Sequence, residues 1–302
     1  TASLNGKDRE KNKFDFEKNF IHHLSSPLPY RRPKDQTIEE FCDEKVNEFE
    51  DKINELGSEN IAAYIAEPIL ASGGCIVTPD GYIKRFWDLC KKYDILYISD
   101  EVVTSFGRLG HFFSSEKVFG IVPDIITTAK GITSGYMPLG AVLFSDRLME
   151  DVKKESSVFI HGYTYSGHPA CCTAALKNIE IIKRDKILEH VQTVAPYFQE
   201  KLNELINIPI VGDVRGKGMM TGIECVMNKD SKEALVLDQA IGNRIDEESL
   251  KLGLIIRPLY HVCVLSPALI ITKIQINDLV EKLRLAITNA MKKVEAEGLW
   301  SE

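Results

Sequence analysis

Two short apolar runs, each stopped by a charge, constrain this chain more than any other feature in it. Ile95-Leu96-Tyr97-Ile98-Ser99 runs into Asp100, and Ile125-Ile126-Thr127-Thr128-Ala129 runs into Lys130. β-Rich runs of this length between turn signals read as buried strands of a parallel sheet. In an open sheet of that kind, ligands sit beyond the carboxyl ends of the strands, where both charges would emerge. A carboxylate and an amine at neighbouring strand tips suit a cofactor that needs a cation held at one end and a Schiff base made at the other.

The surrounding pattern agrees with a sheet. Thr37 and Glu40 have the spacing of a capping box. Ile38, Phe41, Cys42, Val46, Phe49, Ile53 and Leu56 then recur mostly at three- and four-residue steps up to Gly57, which predicts a helix with one buried stripe. A strand over 61–66 ends at Glu67-Pro68 and puts a third charge at a strand tip. Thr78-Pro79-Asp80 is expected to open a second helix, which turns Ile83, Phe86, Trp87 and Cys90 inward and ends near Tyr93. A further strand is expected over 141–144. Strand, helix, strand, repeated, implies right-handed crossovers and a mainly parallel sheet with helices on both faces.

Long helical patterns follow over 170–183 and 187–205. Beyond Ile208, short strands (220–226, 254–257, 262–265) alternate with helices (236–252, 276–297). The chain is therefore expected to divide into a large α/β domain, residues 1–185, and a smaller C-terminal α/β domain, residues 186–302. Residues 1–36 read as irregular, and Tyr30-Arg31-Arg32 as a solvated or ion-paired patch rather than an anion site.

Charge and cysteine usage exclude several classes. The net charge is −7, so there is no basic footprint for nucleic acid. No apolar run approaches the roughly 18 residues of a membrane span. The seven cysteines form no CxxC pair, and Cys171-Cys172 are adjacent, which suggests free thiols and a cytoplasmic location. Arg215-Gly216-Lys217-Gly218 lacks the spacing of a nucleotide loop. The chain begins at Thr1 without the apolar core of a signal peptide, and is expected to be N-terminally incomplete.

Singly, the candidate residues are ambiguous. A lysine ending a strand is most often a snorkelling or ion-paired surface residue. Lys130, followed by the Gly-rich stretch GITSGYMPLG, also fits a nucleophile with a depressed pKa among apolar neighbours. The pair Asp100-Glu101 could cap a helix or bind a metal. No His or Cys stands near it at ligand spacing, so no metal is expected. Glu67 reads equally as a turn residue, and His111, His161 and His168 as hydrogen-bonded loop residues.

In combination the blocks are more specific. SDEVVTSFGRLGHFFSSEKVFGIVPDIITTAKGITSGYMPLGAV resembles the cofactor-lysine region of class III aminotransferases, fold type I enzymes that use pyridoxal 5′-phosphate. AEPI at 66–69, HGYTYSGHPACCTAAL at 161–176 and VRGKGMMTGIE at 214–224 resemble three further blocks of that family, in the same order. The resemblance implies a three-layer fold type I large domain followed by a small domain. It implies Lys130 as the lysine that binds the cofactor covalently and Asp100 as the carboxylate that keeps the pyridine nitrogen protonated. Val102 would press on one face of the ring. Thr164 would bind the cofactor phosphate of a neighbouring subunit, so a homodimer with a shared site is implied. Glu67 would stand near the ring edge. Arg257 would bind a substrate carboxylate, as in the ω-amino acid:pyruvate branch, although a surface arginine at a sheet edge fits the same residue.

The implied reaction is transamination between an ω-amino acid or amine and a keto acid such as pyruvate. The alternatives are an inert truncated chain and another reaction of the same cofactor, such as an intramolecular amino shift. Two positions depart from much of the family. Val103 stands where many members have glutamine. Val264 stands where the ornithine and γ-aminobutyrate branches carry arginine, which argues against those substrates. The family's upstream Gly-Ser phosphate turn and stacking aromatic are also expected to be absent.

Overall fold

Thr37 caps the first helix, α1 (Ile38–Leu56), as its spacing predicts. Its hydroxyl accepts the Glu40 amide at 3.1 Å, the Glu40 carboxylate accepts the Thr37 amide at 2.8 Å, and Gly57 ends the helix at φ 79°. The stripe of Phe41, Cys42, Val46, Phe49 and Ile53 is buried. These coordinates are a computed structural model, and they describe residues 2–7, 14–154, 160–234 and 238–301.

After α1 come β1 (Ala63–Ala66), a short hairpin of β2 (Ile69–Leu70) and β3 (Ile76–Val77), helix α2 (Tyr82–Lys92) and β4 (Leu96–Asp100). Helix α2 starts later than expected. The Pro79 carbonyl accepts the Tyr82 amide and closes a turn, and left-handed Gly81 precedes the first helical residue. Next are α3 (Ser114–Phe119), β5 (Ile125–Thr128), β6 (Ala141–Phe144), α4 (Asp146–Lys154) and α5 (Pro169–Arg184). The strands β1, β4, β5 and β6 form one sheet in that order, the first two pairings parallel and the last antiparallel.

Side chains alternate across this sheet. Tyr64 and Tyr97 pair in register and pack with Phe49, Phe86 and the rest of the α1–α2 core, where Phe49 and Phe86 stack at 5.2 Å. Residues of the opposite parity include Asp100, paired with Thr127, and the exposed Ile65, Val142 and Phe144. Among the described residues β6 pairs with β5 alone and ends the sheet.

Helix α6 (Ile187–Asn203) begins after left-handed Lys186. It leads into β7 (Val211–Lys217), β8 (Met220–Asn228), β9 (Glu233–Ala234), α7 (Asp238–Lys251), β10 (Arg257–Leu259), β11 (Val262–Leu265) and α8 (Lys273–Ala296). The start expected for α7, Val236, lies outside the described residues. The second sheet runs β10-β11-β8-β7 with β9 on β8, all antiparallel. The strand expected over 254–257 lies instead at Arg257–Leu259, in register with Val262–Val264.

Two large apolar clusters result, one among residues 42–121 and one among 191–300. A third, containing Ile69, Cys75, Leu109, Met220, Val262 and Val264, draws on both. Arg108 crosses the same boundary: its guanidinium donates to the carbonyls of Met219 (2.9 Å) and Pro267 (2.7 Å).

Candidate active site

The first sheet brings three of the expected residues to one end. Asp100 closes β4 opposite Thr127 of β5, and Lys130 follows β5 by two residues. Glu67 follows β1, whose Ala66 pairs with Ser99. Electrostatics register the convergence. Burial raises the Glu67 carboxyl above its usual range, its hydrogen bond from the Ala71 amide (3.1 Å) pulls the other way, Asp100 pushes it further up and the Lys130 ammonium draws it down.

Each side chain is held by its own local structure. The Val102 amide donates to Asp100 Oδ1 at 3.1 Å, which orients the carboxylate at the tip. Lys130 adopts φ 42°, a left-handed conformation uncommon for a residue with a Cβ. The turn around it is fixed by Ile132 N–H to Ala129 O (3.0 Å) and by Asn178 of α5, which donates to the carbonyls of Gly131 (2.9 Å) and Ile132 (3.1 Å). Gly131 must be glycine for space: a Cβ there would lie 2.9 Å from the Phe106 Cβ.

Lys130 differs from expectation in its surroundings. It is exposed rather than set among apolar neighbours, and it forms no ion pair with another described residue. It borders a cleft of about 420 Å³ lined also by Thr133 and the turn from Gly135 to Leu139. Val102 is half-buried beside Asp100.

Thr164 and Arg257 are not joined to this group by a hydrogen bond or ion pair among the described residues. Thr164 is exposed in the turn before α5, between the exposed Tyr163 and Tyr165. Arg257 is exposed at the start of β10 on the second sheet, paired in register with Val264. The basic pair near residue 30 is ion-paired, since Arg31 bonds the Glu224 carboxylate. Arg215 of the glycine-rich 215–218 segment bonds Asp213 and Glu224, and serves as part of a β-hairpin.

Sequence reasoning treated Glu101 as half of an ambiguous pair; the structure makes it a helix cap. It is fully buried. One carboxylate oxygen accepts the Ser114 amide (2.7 Å), the Ser114 hydroxyl (2.8 Å) and the Thr104 hydroxyl (3.3 Å). The other accepts the Ser115 amide (2.9 Å) and hydroxyl (2.5 Å). The only sequence signal is an acid preceding a Ser-Ser pair at the start of a short helix.

The family model described as aminotransferase class-III matches residues 2–287. A putrescine–pyruvate aminotransferase of Pseudomonas aeruginosa is 40% identical over 296 residues, which are 98% of this chain and 64% of that protein. A probable mitochondrial gamma-aminobutyrate transaminase 3 of Oryza sativa subsp. indica is 39% identical over 286 residues, 93% of this chain and 56% of that protein. A solved thermostable (S)-enantioselective omega-transaminase from Thermomicrobium roseum superposes with a TM-score of 0.91 at 38% identity, covering 96% of this chain and 65% of the other. An omega transaminase from Pseudomonas jessenii in complex with PMP gives 0.92 at 33% identity, covering 97% of this chain and 66% of the other. The chain thus spans less than two thirds of the curated relatives it matches.

Proposed function

The chain belongs to the class III aminotransferase family, and from that premise we propose that the protein moves an amino group from an amine or ω-amino acid to a keto acid such as pyruvate, with pyridoxal 5′-phosphate. The observation that carries this reading is that a carboxylate at the end of β4 and an amine just beyond the end of its parallel neighbour β5 emerge at the same edge of the sheet, both near enough to act on the Glu67 carboxyl. The donor set fits the cofactor: Lys130 offers an accessible amine to an aldehyde carbon, and Asp100 offers a carboxylate to a protonated ring nitrogen. The relative named for putrescine and pyruvate supports pyruvate as the acceptor.

When bound, the cofactor supplies an aldehyde that takes up amines and a ring that accepts electrons from the substrate Cα. Lys130 would hold it covalently and, as a free amine, would serve as the general base that takes the substrate Cα proton. Asp100 would be the residue that keeps the ring nitrogen protonated. Val102 would pack against the ring, and Glu67, whose carboxyl is raised above its usual range by burial and by Asp100, would stand near the ring edge. Arg257 binds the substrate carboxylate. Thr164 binds the phosphate held by a second copy of the chain, a role its exposure suits, and the exposed Tyr163 and Tyr165 beside it suit a homodimer contact.

We also infer a division near residue 185, between α5 and α6, into a cofactor-binding part and a smaller C-terminal part. No described helix is long and apolar enough to cross a membrane. Free thiols at all seven cysteines support a cytoplasmic location.

The test is incubation with pyridoxal 5′-phosphate, borohydride reduction and peptide mass mapping. The expected result is label on Lys130, lost in Lys130→Ala, with turnover that requires added keto acid. Label spread over surface lysines, or equal label in Lys130→Ala, would end the reading.

A further inference from the structure

Resting on that reading, we propose that Glu101 is a positioning residue, the centre of a buried hydrogen-bond hub that sets Asp100 and Lys130 relative to each other. Glu101 directly follows Asp100. Its backbone amide donates to Thr127 O at 2.9 Å, tying the end of β4 to β5. Its carbonyl accepts the Ser105 hydroxyl at 2.6 Å, and that hydroxyl shares a second 2.6 Å hydrogen bond with the Thr128 hydroxyl, two residues before Lys130. Ser99, Glu101, Thr104, Ser105, Ser114, Ser115 and Thr128 are all buried, so the hub is shielded from water.

The other side of the hub reaches Lys130 through packing. Phe106, next to Ser105, lies against Gly131 so closely that no Cβ fits between them. A movement of the 101–106 segment therefore displaces both strand tips together. The carboxylate anchors that segment to α3 through four donors, the successive amides and the hydroxyls of Ser114 and Ser115, and accepts a fifth from Thr104 of its own segment. Among the described residues no Lys, Arg or His pairs with it, so its charge is balanced by hydrogen bonds alone. A glutamine would turn an NH₂ toward donors that need an acceptor, and a buried network left half satisfied is worse than none.

The experiment compares the chain with its Glu101→Gln and Ser105→Ala variants. Amide hydrogen exchange is read at Val102, which bonds Asp100, at Ile132 in the lysine turn, and at Phe41 in α1 as reference. Both variants are expected to exchange about tenfold faster at Val102 and Ile132, with Phe41 unchanged. With pyridoxal 5′-phosphate bound, the pH at which the visible absorbance changes is expected to move by about one unit in both. Native exchange at the two tips, equal acceleration at all three amides, or an unmoved absorbance titration in variants that do exchange faster would each overturn the proposal, the last by reducing the hub to scaffolding. Should Glu101→Gln fail to fold, Ser105→Ala decides by the same criteria, because it leaves the carboxylate and its five donors in place. Lys130→Ala separates the two ideas. Label retained there ends the functional reading, and the tip amides then judge Glu101 by themselves.

Discussion

Glu224 stays charged with 1% of its side chain exposed because two guanidinium groups, of Arg31 and Arg215, and the His261 ring surround it. Burial pushes its pKa up, but hydrogen bonds from His261 and Arg215 and the charge of Arg31 outweigh that and hold it at about 2, against an ordinary 4.5. A carboxyl depressed on folding adds stability that is complete above its unfolded value and is lost as pH falls through its folded one. The contribution is about 3 kcal/mol. Melting temperature is therefore expected to fall between about pH 4.5 and pH 2, and to fall less steeply in Glu224→Gln. At neutral pH that variant leaves Arg215 and Arg31 facing a neutral amide, and a loss of roughly 3–5 kcal/mol in denaturant titration is expected. A melting curve with the same pH dependence in both proteins would remove Glu224 from the account. Lys130, Asp100 and Glu67 were legible in the sequence because each ends a strand run, and strand ends are read locally. The partners of Glu224 were not, because Arg31 and Glu224 are 193 residues apart and nothing in either segment names the other. Glu101 was hidden for a related reason, since buried serines look like loop serines until their acceptor is known.

Element-scale structure follows the same division between local and distant causes. Helix α1 was readable in its cap, its stop and the middle of its stripe, all lying within its own residues, whereas Ile38 at its first position is exposed and Leu56 at its last only partly buried. Thr37→Ala removes the cap acceptor, and a loss of about 1 kcal/mol is expected in denaturant titration. Strands β2 and β3 are two residues each, too short for any periodicity, and β7 reads VGDVRGK with no clear alternation. Tertiary pairing makes them strands: β7 by its partner β8, the hairpin by Arg215, whose Nε donates to Gly74 O at 3.0 Å. Helix α2 moved for a turn reason, as Pro79 supplied a carbonyl to a turn instead of a first helical residue. Gly131→Ala belongs to this scale because the added Cβ would press on the Phe106 Cβ, whose position the 101–106 segment fixes. A loss of roughly 1–3 kcal/mol is expected from overpacking, together with weaker borohydride labelling of Lys130.

Across the whole molecule, Arg108 is the clearest bond between the two sheets. Burial lowers its pKa to about 10, and the guanidinium spends its hydrogen bonds on carbonyls from the far side of the boundary. Arg108→Met keeps the apolar stem and removes those donors. A loss of about 2–4 kcal/mol is expected, and calorimetry should then resolve two transitions if the halves are separately stable. The mainly parallel first sheet was legible because repeated strand–helix–strand order admits few topologies; its antiparallel last strand, the antiparallel second sheet and the joints between the sheets were not, the joints because they are made by carbonyls, which every residue has. One strand carries a practical consequence. Among the described residues the last strand of the first sheet has no partner on its outer edge, and Val142 is exposed on it, the conditions under which chains stack edge to edge. At high concentration this protein should precipitate by strand addition unless something occupies that edge. A charged gatekeeper, Val142→Lys, is expected to raise its solubility limit while leaving its melting temperature within a few degrees.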